Sequence, residues 1–219
     1  MRDLIKTKVS INTVSKATST QSRGFCTQSK LYCGFVSILS PKGSVKKLKQ
    51  GTSWESKLQK GLDTIKHRGP ESSHIWVDKN EKVALGHARL SIIDLTTGDQ
   101  PLSNQDNTVH VVVNGELYDY ERIRQDLIQK GYSFKTKSDS EIVLALYQEY
   151  GTQMFKYLRG EFAFTLWDSK AGIMLAAKDR FGIKPLFYTI QKDGTVLFAS
   201  EMKAFFEMGV KVSLLYIWC

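Results

Sequence analysis

The sequence of 219 residues has no long apolar run, few cysteines and none of the common nucleotide-binding loops. No apolar stretch approaches the roughly 18 residues of a membrane-spanning helix, which argues against a membrane protein. The three cysteines, Cys26, Cys33 and Cys219, are an odd number without metal-ligand spacing. This argues against a disulfide framework or a zinc site and is typical of a reducing compartment. No internal repeat, Walker loop or dinucleotide fingerprint is present, so the sequence carries no motif for nucleotide binding.

Acidic residues are scarce only at the start of the chain. Residues 1–32 contain six Lys and Arg against a single Asp, so they carry +5 of the formal net charge of +9. Beyond Cys33 the basic residues are scattered among acidic ones, which argues against a nucleic-acid-binding surface. A basic RNA- or membrane-associated protein therefore stays an alternative that rests on the charge of residues 1–32 alone.

The two ends of the chain differ from the middle. Residues 1–32 are rich in Ser, Thr and Lys and are similar in composition to an organelle transit peptide, with Arg23-Gly-Phe25 near a cleavage point. A disordered tail and a wrongly placed start in a gene model are the alternatives. Residues 209–219 finish on an apolar tract, which indicates a truncated or misread terminus. We therefore expect a domain over residues 33–208.

Within that domain, helical and strand patterns alternate. Capping residues, helical spacing and breakers predict helices from 54 to about 68, over 120–130, from 138 onwards with a capping box, near 154–158, and over 201–208 with Ser200 as the cap. Short apolar runs predict strands over 35–39, 83–88, 109–113, 161–167, 173–178, 186–190 and 196–199. Turn residues between the last four strands favour antiparallel hairpins. Strands on both sides of central helices fit a sheet-on-sheet core that is covered by helices.

Five polar clusters lie at the boundaries of these elements. They are His67-Arg-Gly-Pro-Glu71, Gly86-His-Ala-Arg-Leu-Ser-Ile-Ile-Asp94, Gly98-Asp-Gln-Pro101, Asn114-Gly-Glu-Leu-Tyr118 and Ser138-Asp-Ser-Glu141. Taken singly, each has an ordinary structural explanation. Asn114-Gly115 after three valines is typical of a hairpin turn. Arg89 is compatible with a solvated strand position, and Asp139 with a favourable helix N-terminus.

Taken together with Cys33-Gly-Phe35, the clusters resemble glutamine amidotransferase domains of the N-terminal-nucleophile type. More narrowly, they resemble the N-terminal domain of glutamine-dependent asparagine synthetases. The motifs that match in order are Cys33-Gly-Phe35, His67-Arg-Gly-Pro70, Gly86-His87 with Arg89-Leu-Ser91, Gln100-Pro-Leu102, Asn114-Gly-Glu116, Ser138-Asp-Ser-Glu141 and Asp179-Arg-Phe-Gly-Ile-Lys-Pro185. The resemblance covers residues 33 to about 205. Arg89-Leu-Ser-Ile92 favours the asparagine synthetase branch over the domains of hexosamine or purine synthesis.

The resemblance implies a fold and a reaction. The fold is α+β, a four-layer αββα sandwich of two antiparallel sheets. The reaction is the hydrolysis of L-glutamine to glutamate and ammonia, with the Cys33 sulfur as the nucleophile. In such enzymes the base is the α-amino group of the same cysteine, whose ordinary pKa of about 8 lies near working pH. Cys33 must then be residue one of the mature protein, because behind Tyr32 its nitrogen is an amide without basicity.

The resemblance also implies roles for the other site residues. The Asn114 side-chain amide and the Gly115 backbone N–H would stabilise the oxyanion that forms on the attacked carbonyl. Arg89 would bind the α-carboxylate of glutamine, since its planar fork offers bidentate geometry. Asp139 would face the α-ammonium group, and Glu116 would make a further substrate contact. No metal site is implied.

Partners and cofactors follow from the same comparison. The domain itself needs no cofactor, while ATP and Mg would serve a synthetase domain or subunit that adenylates aspartate and that this chain does not supply. Besides L-glutamine and that synthetase, the resemblance leaves a homodimer open and implies neither nucleic acid nor membrane as a partner. The expected compartment is the cytoplasm, or the mitochondrion if residues 1–32 are a transit peptide. A hypothesis of a different class is a catalytically inactive domain that binds glutamine as a regulator, because Cys33 is blocked.

Overall fold

The computed structural model describes residues 8–12, 32–40, 53–91, 94 and 96–210, with residues 8–12 as backbone. Within them the strands are β1 (Lys8–Asn12), β2 (Gly34–Leu39), β3 (Ser72–Val77), β4 (Val83–Arg89), β5 (Leu102–Ser103), β6 (Val109–Leu117), β7 (Gly160–Asp168), β8 (Ile173–Lys178), β9 (Phe187–Ile190) and β10 (Val196–Ala199). The α-helices are α1 (Trp54–Thr64), α2 (Tyr120–Gln129), α3 (Ile142–Tyr150) and α4 (Lys203–Glu207), and Asp139–Glu141 and Gly151–Lys156 form 3-10 helices. The tail predicted over 1–32 and the terminus predicted over 209–219 lie outside the described residues, apart from residues 8–12, 32 and 209–210.

The strands form two five-stranded sheets. One has the order β1-β8-β7-β6-β5, and the other has the order β3-β4-β2-β10-β9. Every pair is antiparallel except β1 and β8, which run parallel at the edge of the first sheet. The antiparallel hairpins predicted for the last four strands are confirmed for β7–β8 and β9–β10.

Alternation along the strands produces four layers. On β2, Val36 and Ile38 pack with α1 and α4, while Phe35 and Leu39 belong to the apolar cluster between the two sheets. On β6, Val111 and Val113 pack against α2 and α3, and Val112 faces the inter-sheet cluster. Since successive side chains of a strand point to opposite faces, strands covered on both sides must be apolar throughout. The result is the expected αββα sandwich.

The helix predicted from residue 54 begins where the sequence indicates, and it buries the face that the apolar spacing predicts. Ser53 caps α1 by accepting a hydrogen bond from the Ser56 amide at 3.0 Å. The apolar stripe of that helix, Trp54, Leu58 and Leu62, is buried against the second sheet. An amphipathic helix of this kind is stabilised mainly by that buried stripe rather than by its intrinsic propensity.

Two local predictions were wrong, and one alternative explanation does not hold. Asn114-Gly115 is not the hairpin turn that it would suggest when taken singly, because β6 continues through both residues to Leu117. The capping box at Ser138 forms only in part: the Ser138 hydroxyl accepts from the Ser140 amide, but the Glu141 carboxylate accepts from the amides of residues 135 and 136. A 3-10 turn therefore precedes α3. Ser200 does not cap α4, since its hydroxyl accepts from the Phe35 amide at 3.0 Å.

Candidate active site

A cleft opens at one end of the sandwich, where β2 begins, β4 ends and β6 reaches its second half. Period-two alternation places Cys33 on the same face as Phe35, and Arg89 on the same face as Leu85, which is the inter-sheet face. The cleft is lined by all six residues singled out from the sequence, namely Cys33, Arg89, Asn114, Gly115, Glu116 and Asp139. Residues that are 106 positions apart in the chain therefore meet in one place.

Cys33 is held just ahead of β2. Its thiol donates to the Leu90 carbonyl at 3.2 Å and accepts from the Leu90 amide at 3.3 Å. The Arg68 Nε donates to the Cys33 carbonyl at 3.0 Å, and Arg68 Nη1 bonds Glu201 at 3.0 Å. Burial raises the pKa of the Cys33 thiol, although the Leu90 amide and the Arg89 and Arg68 cations oppose that rise. The sulfur is consequently a thiol at neutral pH, and a nucleophilic attack requires a base.

Asn114 and Gly115 lie in the middle of β6. Asn114 is 1% exposed, and its Nδ2 is buried without a hydrogen-bond partner in the part of the chain that the structure describes. A buried donor without an acceptor is destabilising, by about 1–3 kcal/mol, and so calls for an explanation at each position where it occurs. Gly115 has φ +152°, and a Cβ there would lie 2.1 Å from the Glu161 carbonyl oxygen of β7. Glycine is thus required by both the backbone conformation and the close approach of the next strand.

Gln100 and His87 hydrogen-bond to the main chain of Val113, the residue of β6 that precedes Asn114. Gln100 Oε1 accepts from the Val113 amide at 2.6 Å, and its Nε2 donates to the Val113 carbonyl at 3.2 Å. His87 Nε2 also lies 3.0 Å from that carbonyl. Burial lowers the pKa of His87 to about 4, so the ring is neutral and donates through Nε2. The sequence motifs contained both residues, but nothing local indicated this role.

Arg89 lies at the end of β4 with its guanidinium largely buried. Nη1 donates to Asp99 Oδ1 at 3.0 Å, and Nη2 donates to the Asp94 carbonyl oxygen. Asp99 also accepts from the Ser72 hydroxyl at 3.1 Å. Gly98 leaves room for the guanidinium, because a Cβ there would lie 2.7 Å from Nη2. The cation is therefore fixed at the cleft by groups on β3 and on the loop that follows β4.

Asp139 and Glu116 add two carboxylates to the lining of the cleft. Asp139 is 4% exposed and accepts from the Leu117 amide at 2.7 Å and the Ser140 amide at 2.8 Å. Burial raises the pKa of Asp139, against the effect of these hydrogen bonds. A buried carboxylate of this kind favours a cationic group beside it. Glu116 is half-buried on β6 and also lines the cleft.

Lys184 lines the cleft, although the sequence motif that contains it, residues 179–185, did not indicate it as a site residue. Its side chain is buried, with Nζ 3.4 Å from Glu161 Oε2 and 4.0 Å from the centroid of the Tyr32 ring, which also lines the cleft. Asp179 shapes the loop that leads to it, accepting from the amides of Phe181, Ile183 and Lys184 at 3.0 to 3.1 Å. Only the three-dimensional path of this loop brings the lysine to the site.

Two structural findings bear on the other classes of function. Among the described residues, no group of three or more His, Cys, Asp and Glu side chains is arranged to hold a metal ion. None of the helices in the part of the chain that the structure describes is both long and apolar enough to cross a membrane.

The two facing sheets between helical layers, with a cysteine at the head of a central strand, define an N-terminal-nucleophile hydrolase fold. A solved structure with this fold is glutamine phosphoribosylpyrophosphate amidotransferase from B. subtilis in complex with ADP and GMP. It matches with a TM-score of 0.65 and 23% identity, over 81% of this chain and 44% of that one.

Sequence comparison gives the family. Residues 32–214 match the glutamine amidotransferase domain family, and the chain belongs to it. Asparagine synthetase [glutamine-hydrolyzing] 1 of Bacillus subtilis is 42% identical over 172 residues, covering 78% of this chain and 26% of that protein. Amidase chry2 of Gibberella zeae is 47% identical over 163 residues, covering 74% and 23%. The chain thus spans about a quarter of the length of these curated relatives.

Proposed function

We propose that this domain hydrolyses L-glutamine to glutamate and ammonia, with Cys33 as the nucleophile. The observation that carries the proposal is the Asn114 Nδ2, a buried donor without a partner among the described residues, on a residue that lines the same cleft as Cys33. A donor that is fixed and unsatisfied before the reaction suits a negative charge that develops only in the transition state. The Gly115 backbone N–H is proposed as the second donor.

Recognition of glutamine is assigned to the charged groups around the cleft. The Arg89 guanidinium would bind the α-carboxylate, and the Asp139 carboxylate would bind the α-ammonium group. Glu116 would contribute a further contact to the substrate. Opposite charges at two fixed points select a free amino acid over a glutamine residue within a peptide, because a peptide has neither terminal charge at that residue.

The chemistry proceeds in two steps. The Cys33 α-amine removes the thiol proton as the sulfur attacks the side-chain amide carbon, and the oxyanion forms beside Asn114 and Gly115. Collapse breaks the C–N bond, the proton passes to the leaving nitrogen, and ammonia and a thioester result. Water then attacks the thioester, with the same amine as the base, which releases glutamate and restores the thiol.

The test starts from the full chain with a protease recognition sequence inserted immediately before Cys33. After purification the protease cuts at that point, and the product that begins at Cys33 is the cleaved chain. Glutamate release from L-glutamine is expected from the cleaved chain and not from the uncut chain, since only the former has a free α-amine on Cys33. Cys33→Ala in the cleaved chain should abolish the activity. A folded cleaved chain that releases no glutamate would contradict the proposal.

The catalytically inactive alternative differs in one measurable property. Tyr32 lines the cleft and Lys184 Nζ lies over its ring, so a protein that retains the Tyr32–Cys33 peptide bond keeps an aromatic ring at the site and an amide on the nucleophile. Mass spectrometry of the N-terminus of the protein from its source cell distinguishes the two. A working protein that begins at Cys33 supports catalysis, and one that retains Tyr32 supports a regulatory glutamine-binding domain.

The larger reaction is also part of the proposal. We assign residues 33–208 to the glutaminase domain and the use of ammonia to an asparagine-synthetase-type domain or subunit that needs ATP, Mg and aspartate. The cleaved chain should therefore release ammonia without forming asparagine when ATP, Mg and aspartate are added.

We place the protein in the cytoplasm. Fusion of residues 1–32 to a fluorescent protein tests this, and a mitochondrial signal would place the protein in the mitochondrion instead. A homodimer stays a prediction that sedimentation of the full chain tests.

A further inference from the structure

Asp94 connects the two sides of the cleft. Its main-chain oxygen accepts from Arg89 Nη2, and its Oδ2 accepts from the Lys137 amide at 2.8 Å. Lys137 lies two residues before Asp139 in the chain. Asp94 therefore contacts Arg89, the proposed ligand of the α-carboxylate, directly. It also contacts the segment that bears Asp139, the proposed ligand of the α-ammonium group.

The conformation of Asp94 is itself held by a compact turn. Its Oδ1 accepts from the Thr97 amide at 2.9 Å and from the Thr96 amide at 3.3 Å, and the Thr97 hydroxyl donates to Oδ2. The residue has φ +58°, which a non-glycine residue adopts only when its surroundings stabilise it. Burial alone would raise the pKa of the Asp94 carboxyl, but hydrogen bonds from Thr97, Lys137 and Thr96 outweigh it, and the pKa lies well below its ordinary value. The group is a carboxylate at any working pH.

We propose that Asp94 is a positioning residue that fixes the distance between Arg89 and Asp139 and thereby sets the selectivity of the cleft for a free α-amino acid. The inference rests on the proposed function, because it assumes that these two residues bind the α-groups of glutamine. Asp94 needs no contact with the substrate for this role. Its carboxylate anchors the segment at residue 137, while its main chain anchors the guanidinium.

The test is Asp94→Asn in the cleaved chain. The amide keeps an acceptor for Thr97 but places either an NH₂ group or a weaker acceptor against the Lys137 N–H. Loss of a charge-assisted hydrogen bond of this type should raise KM for glutamine about tenfold, with kcat changed by less than about threefold. A decisive readout is the ratio of kcat/KM for glutamine to that for glutaramate, which has the same amide and carboxylate but no α-amino group. That ratio should fall by about tenfold as well, because the ammonium contact is the one displaced.

A matched control is Asp168→Asn, at the far end of β7. The Asp168 Oδ1 likewise accepts from two turn amides, those of Lys170 and Ala171, both at 2.9 Å. This variant should lose stability without any change in the substrate ratio. If Asp94→Asn does not fold, Thr97→Val removes only the hydroxyl bond to Oδ2 and should shift the same ratio by about threefold.

The outcomes separate the two claims. If the wild-type cleaved chain does not hydrolyse glutamine, the proposed function fails and this inference fails with it. If the wild type is active and Asp94→Asn lowers kcat/KM for glutamine and for glutaramate in the same proportion, Asp94 has a purely structural role and the inference is overturned. A selective fall for glutamine supports it.

Discussion

The side-chain amide of Gln100 forms two hydrogen bonds to the main chain of Val113, one at 2.6 Å to its N–H and one at 3.2 Å to its carbonyl. β5 pairs with β6 at residues 102 and 103, opposite Val111 and His110, so within the described part of the chain its pairing stops short of Val113. The Gln100 amide bonds the N–H and C=O of Val113 as a paired strand would, and so fixes β6 one residue before Asn114. We infer that Gln100 holds Asn114, the proposed oxyanion donor, in place without contacting the reacting atoms.

Gln100→Glu tests this arrangement. The carboxylate keeps an acceptor for the Val113 amide but loses the donor to the Val113 carbonyl, so β6 should loosen next to Asn114. We expect kcat of the cleaved chain to fall about tenfold, with KM for glutamine changed less. Steady-state kinetics of glutamate release provide the measurement. Gln105→Glu is the control and should retain wild-type kcat, because this glutamine is exposed and its side chain donates to the Ser133 hydroxyl. Equal effects of the two substitutions would contradict the role of Gln100.

Asn114→Ala should separate catalysis from stability. Removing one oxyanion donor is expected to lower kcat by about 100- to 1,000-fold, while KM stays near the wild-type value because the donor acts on the transition state. Stability should hardly change, since the Asn114 Nδ2 has no partner among the described residues and its removal relieves an unsatisfied donor. Kinetics and thermal unfolding of the same sample check both statements. A strong loss of stability would show that Asn114 is a structural residue instead.

Much of the fold follows from the sequence because turn residues delimit the strands. The strands predicted over 173–178 and 196–199 match β8 and β10 residue for residue, since Gly172 and Gly194 stand in the turns before them. β3 was not predicted: it begins with Ser-Ser-His and has exposed positions on an edge, so it lacks the apolar alternation of a half-buried strand. An edge strand of this kind is defined by its partner, β4, rather than by its own residues.

The candidate site was predictable only where a motif carried its residues. The six selected residues do line one cleft, but the roles of the residues that hold them could not be inferred, even where a motif contained those residues. Gln100 acts on Val113 across 13 positions, and Asp94 acts on Lys137 across 43. Hydrogen bonds to main-chain groups leave no signature in the identity of the partner residue. A structure is needed to find such contacts, because the backbone offers the same N–H and C=O at nearly every position.

Gly115→Ala should disrupt the folded protein. A Cβ at this position would lie 2.1 Å from the Glu161 carbonyl oxygen, and backbone of a central strand cannot move away without breaking the β6–β7 ladder. We expect a loss of about 3 kcal/mol or more in the free energy of unfolding. Denaturant unfolding measures it. Gly172→Ala is the matched control, with φ +64° and no atom of the described residues within 4 Å of the added Cβ, and should lose only about 1–2 kcal/mol. Equal losses at the two glycines would refute the steric argument.

His87 should make the protein sensitive to acid. Burial lowers its pKa in the folded state to about 4, whereas the unfolded chain has the ordinary value of 6.5. Between these values the unfolded state binds more protons than the folded one, so the free energy of unfolding falls as the pH falls from 6.5 towards 4. The limiting slope for one such group is about 1.4 kcal/mol per pH unit. Above pH 6.5 both states hold a neutral ring, and the contribution is constant.

His87→Gln isolates this contribution, because an amide can still donate to the Val113 carbonyl but does not titrate. Urea unfolding of wild type and variant at half-unit steps from pH 8 to pH 4 gives the two curves. We expect their difference in unfolding free energy to be flat from pH 8 to 7 and then to change in favour of the variant by up to about 1.4 kcal/mol per unit below pH 6.5. The other titrating groups are common to both proteins and cancel in this difference. Parallel curves down to pH 4 would mean that His87 accepts a proton in the folded state as readily as in the unfolded state. The claim that a neutral His87 donates through Nε2 to the Val113 carbonyl of β6 would then be wrong.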